Sequence, residues 1–376
     1  MKRKLLEILT AFVVIMGCLT TGNEINCCAT ETTDLRNGQK ITDSLEMSDD
    51  INYYTYTVDK SGYVTLNFTR GDSTLHPGTG WDIRLYDAAG KMLTEYNGIK
   101  TDFISPKLSF KQGTQMHINI SSNGDGIVPV NQSYGLQMYS VATTSWETET
   151  MRMSSDSWES RICDVSELTA SKRYGTLWVS ADEDIYKLSV PKTGLVTLMF
   201  QPLGKKDTIG WGYDIELYKK KGDKLVSYKQ IKSSITKQMY VKEGTYYVVV
   251  KADWSDDAPS AYDEYAIWAK VKPGTIPSMK SRKIIYEAGT SVLKWKKIKN
   301  ADGYEIQISP TKKFKKNKTK VYTTVETSCR LGRAVSKGNY YVRVRAYADT
   351  LTGNRIYGKF TKVKKMKKGK GKGVVR

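Results

Sequence analysis

The chain has 376 residues and a net charge of +20, with 59 Lys and Arg against 39 Asp and Glu. That length holds two or three domains, and its two histidines and five cysteines leave little material for a histidine-based catalytic centre or a zinc site. Twenty-five tyrosines against seven phenylalanines favour pleated, half-buried strands, and beyond the N-terminus no long stretch repeats apolar residues at helical spacing. An all-β chain with little helix is expected.

Residues 1–29 read as an export signal, which predicts a cell-surface or extracellular protein. Lys2-Arg3-Lys4 precedes an apolar core from Ile8 to Met16, far short of the ~20 residues that span a bilayer. Three readings of its processing stand. The chain is cut after Ala29, with Cys27 as the small residue upstream; or Ile15-Met-Gly-Cys18 is a lipobox and Cys18 carries lipid; or the segment stays as an anchor. Cys18, Cys27 and Cys28 all lie in this segment. Cys163 and Cys329 fall in different modules, so an exported chain without disulfides is expected, as on a Gram-positive surface.

Residues 34–142 read as a first β-sandwich. Tyr54, Tyr56 and Val58 alternate, Asp59-Lys-Ser-Gly62 turns, and Val64, Leu66 and Phe68 alternate again. Trp81, Ile83 and Leu85 are the inward set of the next strand, Met116, Ile118 and Ile120 of a later one, and Tyr134, Leu136 and Met138 of the last. Residues 143–165, rich in Ser, Thr and Glu, are expected to link, packing Trp146 and Trp158 against a neighbour.

Residues 166–272 repeat the plan. Gly62-Tyr-Val-Thr-Leu-Asn-Phe68 returns as Gly194-Leu-Val-Thr-Leu-Met-Phe200, and Asp82-Ile-Arg-Leu-Tyr86 as Asp214-Ile-Glu-Leu-Tyr218, at one shared offset. Such a shared offset marks a duplicated domain. Gly244-Thr-Tyr-Tyr-Val-Val-Val250 answers the Gly113 strand after a small register change. Asp184-Ile-Tyr-Lys-Leu-Ser-Val, Lys192-Thr-Gly-Leu-Val-Thr-Leu, Tyr213-Asp-Ile-Glu-Leu-Tyr and Tyr265-Ala-Ile-Trp complete a pattern that resembles the bacterial prepeptidase C-terminal family. The resemblance implies an antiparallel β-sandwich in an exported setting. It implies no catalysis, because in that family catalysis belongs to an attached enzyme domain.

A two-proline linker, Lys272-Pro-Gly-Thr-Ile-Pro277, leads to residues 277–363. Val292-Leu-Lys-Trp295, Ala301-Asp-Gly-Tyr-Glu-Ile-Gln-Ile308 and the alternating Tyr340, Val342, Val344 and Ala346 read as strands. Together they resemble a fibronectin type III domain. That resemblance implies a buried second-strand tryptophan at Trp295, a third strand opening at Ala301–Tyr304, a turn at Lys312–Lys320 and a corner tyrosine at Tyr340. Residues 364–376 have too little apolar content to fold and are expected to be disordered.

Charge divides the chain. Residues 277–376 hold 28 Lys and Arg against 5 Asp and Glu, whereas residues 30–276 hold 28 against 32. One end of the molecule is therefore expected to meet an anionic cell-wall polymer or membrane surface, through Lys364, Lys365, Lys367, Lys368, Lys370 and Lys372. Nucleic acid is not expected, because the chain is exported and the lysines lack interleaved aromatics.

No catalytic group recurs between the copies. His76 and His117 are replaced by Thr208 and by Val248 or Val249. Arg70-Gly71-Asp72 becomes a lysine-bearing loop, which weakens an adhesive reading of that triplet. The carboxylates Asp182, Glu183 and Asp184, and Asp253, Asp256 and Asp257, could build a calcium site, but none has EF-hand spacing; no other cofactor is expected. Recurrent tyrosines (Tyr86, Tyr96, Tyr218, Tyr228) and the loop residues Trp211 and Trp254 suit stacking on sugars, or else filling of the sandwich cores or covering of sheet faces. The one repeated outward pair, Asp82/Tyr86 and Asp214/Tyr218, is the candidate ligand surface. The expected function is a non-catalytic surface protein of binding or spacer modules. Its rivals are a carbohydrate-binding or host-adhesive protein that meets glycan or extracellular protein, and an accessory module of a secreted hydrolase.

Overall fold

The computed structural model describes residues 32–71, 78–124, 131–146, 156–177, 182–204, 212–252, 264–280, 282–287, 290–331 and 340–366. The chain is all-β, as expected: among the described residues its helices are α1 (Trp158–Arg161) and one 3-10 turn at Lys316–Lys318.

The first sandwich contains β1 (Thr32–Leu35), β2 (Lys40–Ser44), β3 (Ile51–Thr57), β4 (Gly62–Arg70), β5 (Trp81–Asp87), β6 (Met92–Ile99), β7 (Phe103–Ile104), β8 (Leu108–Phe110), β9 (Gln115–Ser122) and β10 (Ser133–Ala142). One sheet runs β1-β3-β9-β5-β6, and the other runs β2-β10-β4-β7, with β8 also on β4. Side chains alternate across a pleated strand. One set, including Tyr54, Leu66, Phe68, Trp81, Ile83, Ile118, Ile120 and Leu136, is therefore buried between the sheets.

The second sandwich contains β11 (Ser166–Glu167), β12 (Arg173–Thr176), β13 (Glu183–Val190), β14 (Gly194–Pro202), β15 (Tyr213–Lys219), β16 (Lys224–Ile231), β17 (Ile235–Val241), β18 (Gly244–Ala252) and β19 (Glu264–Pro273). Its sheets run β11-β13-β18-β15-β16 and β12-β19-β14-β17. This is the first sandwich strand for strand, with β17 in place of β7 and β8. The register change expected at the Gly113 strand is real. Ile83 pairs with Ile120 and Ile215 with Val250, so β18 has slipped by two residues against the rest of the repeat.

Buried tyrosine hydroxyls need partners, and both copies supply them inside the core. Tyr54 and Tyr134 hydroxyls lie 2.5 Å apart, with Asp43 accepting from Tyr54 at 2.7 Å. Tyr186 and Tyr265 hydroxyls lie 2.7 Å apart, and Tyr265 donates to Asp184. Burial pushes the Tyr54 and Tyr134 hydroxyls well above the ordinary tyrosine range. The high tyrosine content thus includes core residues with a polar tip.

The third sandwich sets β20 (Ile284–Glu287), β21 (Val292–Trp295) and β24 (Ser328–Arg330) against β22 (Gly303–Ser309), β23 (Lys320–Thr324), β25 (Tyr340–Asp349), β26 (Arg355–Tyr357) and β27 (Lys364–Met366). The orders are β20-β21-β24 and β23-β22-β25-β26, with β27 also on β25. Strand β27 corrects one expectation: the chain is not disordered from Lys364. Lys364, Lys365 and Met366 pair with Val342, Tyr341 and Tyr340, and Met366 is buried in the third core. That single apolar side chain, placed on a free strand edge, outweighs the surrounding lysines. Lys367, Lys368, Lys370 and Lys372 lie outside the described residues.

The three sandwiches meet through packed joints. Trp146 is buried between Tyr63 of the first sandwich and Tyr174 of the second, with ring centroids 5.1 and 6.2 Å away. Lys107 lies over the Tyr63 and Trp146 rings, pairs with Glu264 at 2.8 Å, and its carbonyl accepts from the Thr176 hydroxyl at 2.5 Å. At the other joint Leu195 and Tyr240 bury against Ala348 and Ile356, and the Leu351 amide donates to the Tyr240 carbonyl at 3.1 Å. The first joint touches the end of β19 where Glu264 starts it. The second lies where β14 begins and β19 ends, because Gly194 pairs with Pro273. The two joints are therefore at opposite ends of the second sandwich.

Candidate binding face

The repeated outward pair divides on inspection. Asp82 and Asp214 do point away from the core, but both are buried. Asp82 accepts from the Gly98 amide at 2.9 Å and from Asn123 Nδ2 at 2.6 Å, and its other oxygen pairs with Arg84 at 2.8 Å. Asp214 accepts from the Gln230 amide at 3.0 Å. Gly98 and Gln230 are equivalent residues in the left-handed region, at φ 64° and 53°. Each sits where the register of the edge strand shifts, between Trp81 and Ile83 and between Tyr213 and Ile215. The repeated aspartate is thus a clamp on a β-bulge, whose extra residue leaves an amide without a ladder partner.

Tyr218 is covered. Ser157 caps α1 by accepting from the Ser160 amide, and Trp158 lies with its centroid 4.9 Å from Tyr218 and 5.8 Å from Tyr247. Its indole nitrogen donates to the Lys220 carbonyl at 2.9 Å, and Gly222, at φ 85°, passes beneath the indole where a Cβ would stand 3.1 Å from it. Ile185, Val249, Ile162 and Val165 complete this apolar patch. The expectation that Trp146 and Trp158 pack against neighbours is met, one at a joint and one on the sheet.

Charges finish the seal. Arg161 pairs with Glu183. Glu216, buried, receives Lys224 at 3.1 Å, Lys251 at 3.3 Å, Ser227 at 3.2 Å and the Tyr218 hydroxyl at 2.5 Å. Burial pushes the Glu216 carboxyl up, but the hydrogen bonds from Tyr218 and Lys224 and the Lys251 charge overcome it and hold the group at about 2. Glu183 is shifted the other way: burial raises it, and Arg161 and Lys251 offset that only in part. Burial and the bond to Glu216 drive the Tyr218 hydroxyl above its usual range. Two adjacent carboxylates in a face sealed by the linker form a structural lock.

Among the described residues, none is packed over the same face of the first sandwich as Trp158 is over the second. Pairing places Thr55, His117 and Tyr86 in one row and Tyr53, Asn119, Arg84 and Glu95 in the next, all pointing out of the core. Tyr53, Tyr86, His117 and Asn119 are half-buried, and among the described residues none of these four side chains is consumed by a hydrogen bond. Arg84 is held by Asp82 and by Glu95 at 3.4 Å, and reaches Ser121 at 3.2 Å. Register also corrects the histidine alignment: His117 pairs with Tyr86 as Tyr247 pairs with Tyr218, so its counterpart is Tyr247, one or two residues before the expected valines. The slip in β18 concealed this. The flanking residues Arg84, His117 and Asn119 were legible only as outward positions, with no motif to join them.

The remaining candidates fall elsewhere. Tyr96 is buried in the first core, against Phe103, and Tyr228 packs against the second core; both fill the space between the sheets. His76, Asp72, Trp211, Trp254, Asp253, Asp256 and Asp257 lie outside the described residues. Arg70 ends β4, and its amide donates to Asp102. Asp182, Glu183 and Asp184 are buried, with Glu183 and Asp184 used by Arg161 and Tyr265. Among the described residues no group of three or more His, Cys, Asp or Glu is placed to hold a metal ion. Cys163 and Cys329 are not joined in a disulfide; the first is exposed and the second half-buried. Lys364 and Lys365 are exposed on β27, and Lys364 donates to the Ile284 carbonyl at 3.0 Å.

A larger basic feature lies beside them. Lys312, Lys313, Lys315, Lys316, Lys318 and Lys320 are all exposed, and none enters an ion pair among the described residues. The segment that carries them joins β22 to β23. Its start, Ser309, pairs with Tyr341, and Tyr341 pairs with Lys365. The lysine run and the chain's C-terminal segment therefore leave from the same end of the third sandwich. That end is opposite the joint with the second, which lies at Ala348.

No family model matches the chain, and no curated protein sequence matches it. Solved structures similar to it include the pre-peptidase C-terminal domain of collagenase from Bacillus anthracis, at 16% identity and TM-score 0.22, covering 29% of this chain and 94% of that one. Another is the CUB1-EGF-CUB2 segment of human MASP-1/3, at 10% identity and TM-score 0.18, covering 62% of this chain and 100% of that one. A third contains the M60 catalytic domain with CBM51-1 and CBM51-2 of Clostridium perfringens ZmpB, at 9% identity and TM-score 0.21, covering 60% of this chain and 34% of that one. These likenesses carry no ligand or reaction over to this chain.

Proposed function

We propose that this chain is an exported, non-catalytic surface protein in which two joined sandwiches hold a basic third module against an anionic envelope. The observation that carries the reading is the basic end: six exposed lysines between Lys312 and Lys320 and the departing C-terminal segment share the end of the third sandwich remote from the rest of the molecule. Unpaired exposed lysines at one end attract an anionic polymer or headgroup layer, at ~1 kcal/mol per residue near a membrane surface.

Packed joints support the spacer role of the first two sandwiches. Buried Trp146 and Tyr240 each occupy a joint, so the modules do not swing on flexible tethers. The third module's fibronectin type III reading is supported by Trp295 buried on β21 against Tyr304 at 5.2 Å, by β22 opening at Gly303, and by Tyr340 at the start of β25 against the third core. The duplication of the first two is supported by their shared topology, and their prepeptidase C-terminal reading rests on the strand motifs of residues 184–268.

The test is pull-down by purified Gram-positive cell wall and by vesicles containing anionic lipid, across a salt series. Because Lys364–Met366 is structural, truncation should begin at Lys367. Truncation together with Lys→Gln at the six loop positions is expected to weaken binding at least tenfold and to flatten its salt dependence. Unchanged binding by that variant would end the envelope reading.

A further inference from the structure

The two copies of one tyrosine position carry different surroundings, and that difference points to a ligand class. Over Tyr218 lies a flat ring, the Trp158 indole. On β13 and β18 beside it stand Ile185, Val249 and Tyr247, with Glu216 on its own strand bonded to its hydroxyl. At the equivalent positions of the first copy stand Tyr53, Asn119 and His117, beside Tyr86, as the strand registers require. The platform for a flat ring is retained, while Ile185 and Val249 at its rim give way to the hydrogen-bonding groups of Tyr53 and Asn119.

We propose that the outer face of the first sandwich binds a neutral sugar ring of an oligosaccharide, stacked on Tyr86, with its hydroxyl or acetamido edge received by His117 and Asn119. A pyranose offers an apolar face for stacking and a polar edge for hydrogen bonds. An indole or phenyl ring in the same place would leave the amide and imidazole unpaired, which costs free energy. Charge selects among sugars. Asp82, Glu95 and Asp34 outnumber Arg84 around the face, and Arg84 is already held by two of them, so acidic sugars are repelled. Residues 24–31, which precede β1 as the Trp158 segment precedes β11, contain no aromatic ring. The proposal rests on the non-catalytic binding reading and is independent of the basic third module.

The test uses the full chain on an array of neutral and acidic oligosaccharides at about 0.5 M salt, where attraction to the lysine-rich end is screened. The best neutral oligosaccharide is then titrated by calorimetry. Neutral oligosaccharides are expected to bind, and sialylated or phosphorylated ones, whose repulsion the same salt partly screens, to bind more weakly. Tyr86→Ala should weaken binding at least tenfold, and so should the pair His117→Tyr and Asn119→Val, which installs the second copy's residues. Tyr218→Ala should leave affinity unchanged, since Trp158 covers that ring. Thermal unfolding reports whether each variant is folded, and the double variant decides the matter if Tyr86→Ala is not. Absence of any neutral-sugar binding, preference for acidic sugars, or full affinity in the double variant would overturn the proposal. None of these outcomes bears on cell-wall binding at low salt, so the envelope reading fails or survives separately.

Discussion

The first and second sandwiches share strand order, core and bulge clamps, yet their outer sheet faces have opposite fates. The second spends its face on its own linker: Trp158 seals Tyr218, and Arg161 meets Glu183. The first leaves Tyr86, His117 and Asn119 without internal partners among the described residues. At the centre of the face the charge is reversed, Glu216 in one copy and Arg84 in the other. Packing dictates inward residues tightly, so duplication preserves them. Outward residues answer only to whatever covers them.

The sharpest break of this comparison is Glu216→Ala. Removing it leaves Lys251 and Lys224 facing a buried gap and should cost about 3 kcal/mol at neutral pH. Arg84→Ala, at the equivalent but more exposed position, should cost under ~1 kcal/mol. Urea unfolding of each variant measures both. The Glu216 carboxyl is held at about 2, below its ordinary 4.5. Its contribution is thus complete above 4.5 and fades as pH falls through 2, so the wild type and Glu216→Ala should converge in acid. Carboxyl titration by NMR should place Glu183 above 4.5 and Glu216 below it.

Next in size is Trp158→Ala, which should destabilise the second sandwich by about 2–3 kcal/mol, less than a full core tryptophan because the ring is half-buried. Among the described residues the first sandwich has no counterpart to lose, and calorimetric unfolding of the full chain measures the loss.

A smaller effect tests the feature the copies share. Asp82→Ala and Asp214→Ala should each cost about 1–2 kcal/mol, by orphaning the bulge amide of Gly98 or Gln230. Asp82→Ala also releases Asn123 and Arg84, and Asp214→Ala also releases the more distant Lys229 at 3.9 Å. Equal costs would show that the clamp alone matters.

The smallest concerns the bulge residue itself. Gln230 holds a left-handed φ of 53° where the first copy uses Gly98. Gln230→Gly should gain up to ~1 kcal/mol, the relief of the Cβ clash less the entropy of glycine. A stability loss in chemical denaturation would mean that the glutamine side chain has a role of its own.

Much of this was legible beforehand, for definite reasons. Period-two alternation at Val64, Leu66 and Phe68 and at Tyr186 and Leu188 reports burial directly. The offset shared by Asp82 and Asp214 reports duplication. Trp146 and Trp158 stood out because large rings in a Ser- and Thr-rich linker need cover. The candidate face was legible only through Tyr86. Its partner His117 was hidden by the two-residue slip of β18, and Asn119 carries no signal apart from its neighbours. The aspartates were read as surface ligands because a one-dimensional pattern distinguishes inward from outward and says nothing of a bulge folding over an outward residue. Strand β27 was missed because composition averages over Met366, whereas a strand edge selects it.

The sequence by itself determined that the chain is all-β, that one sandwich is doubled, and that positive charge is gathered in the last hundred residues. These follow from local periodicity, repetition and counting, which need no neighbours in space. Tertiary structure alone decided which outward face Trp158 covers, that the two aspartates clamp bulges, and that the lysine run shares an end of the third sandwich with Lys365 and Met366. Each depends on which strands lie side by side and in what register, a property of the assembled sheets that no single strand encodes.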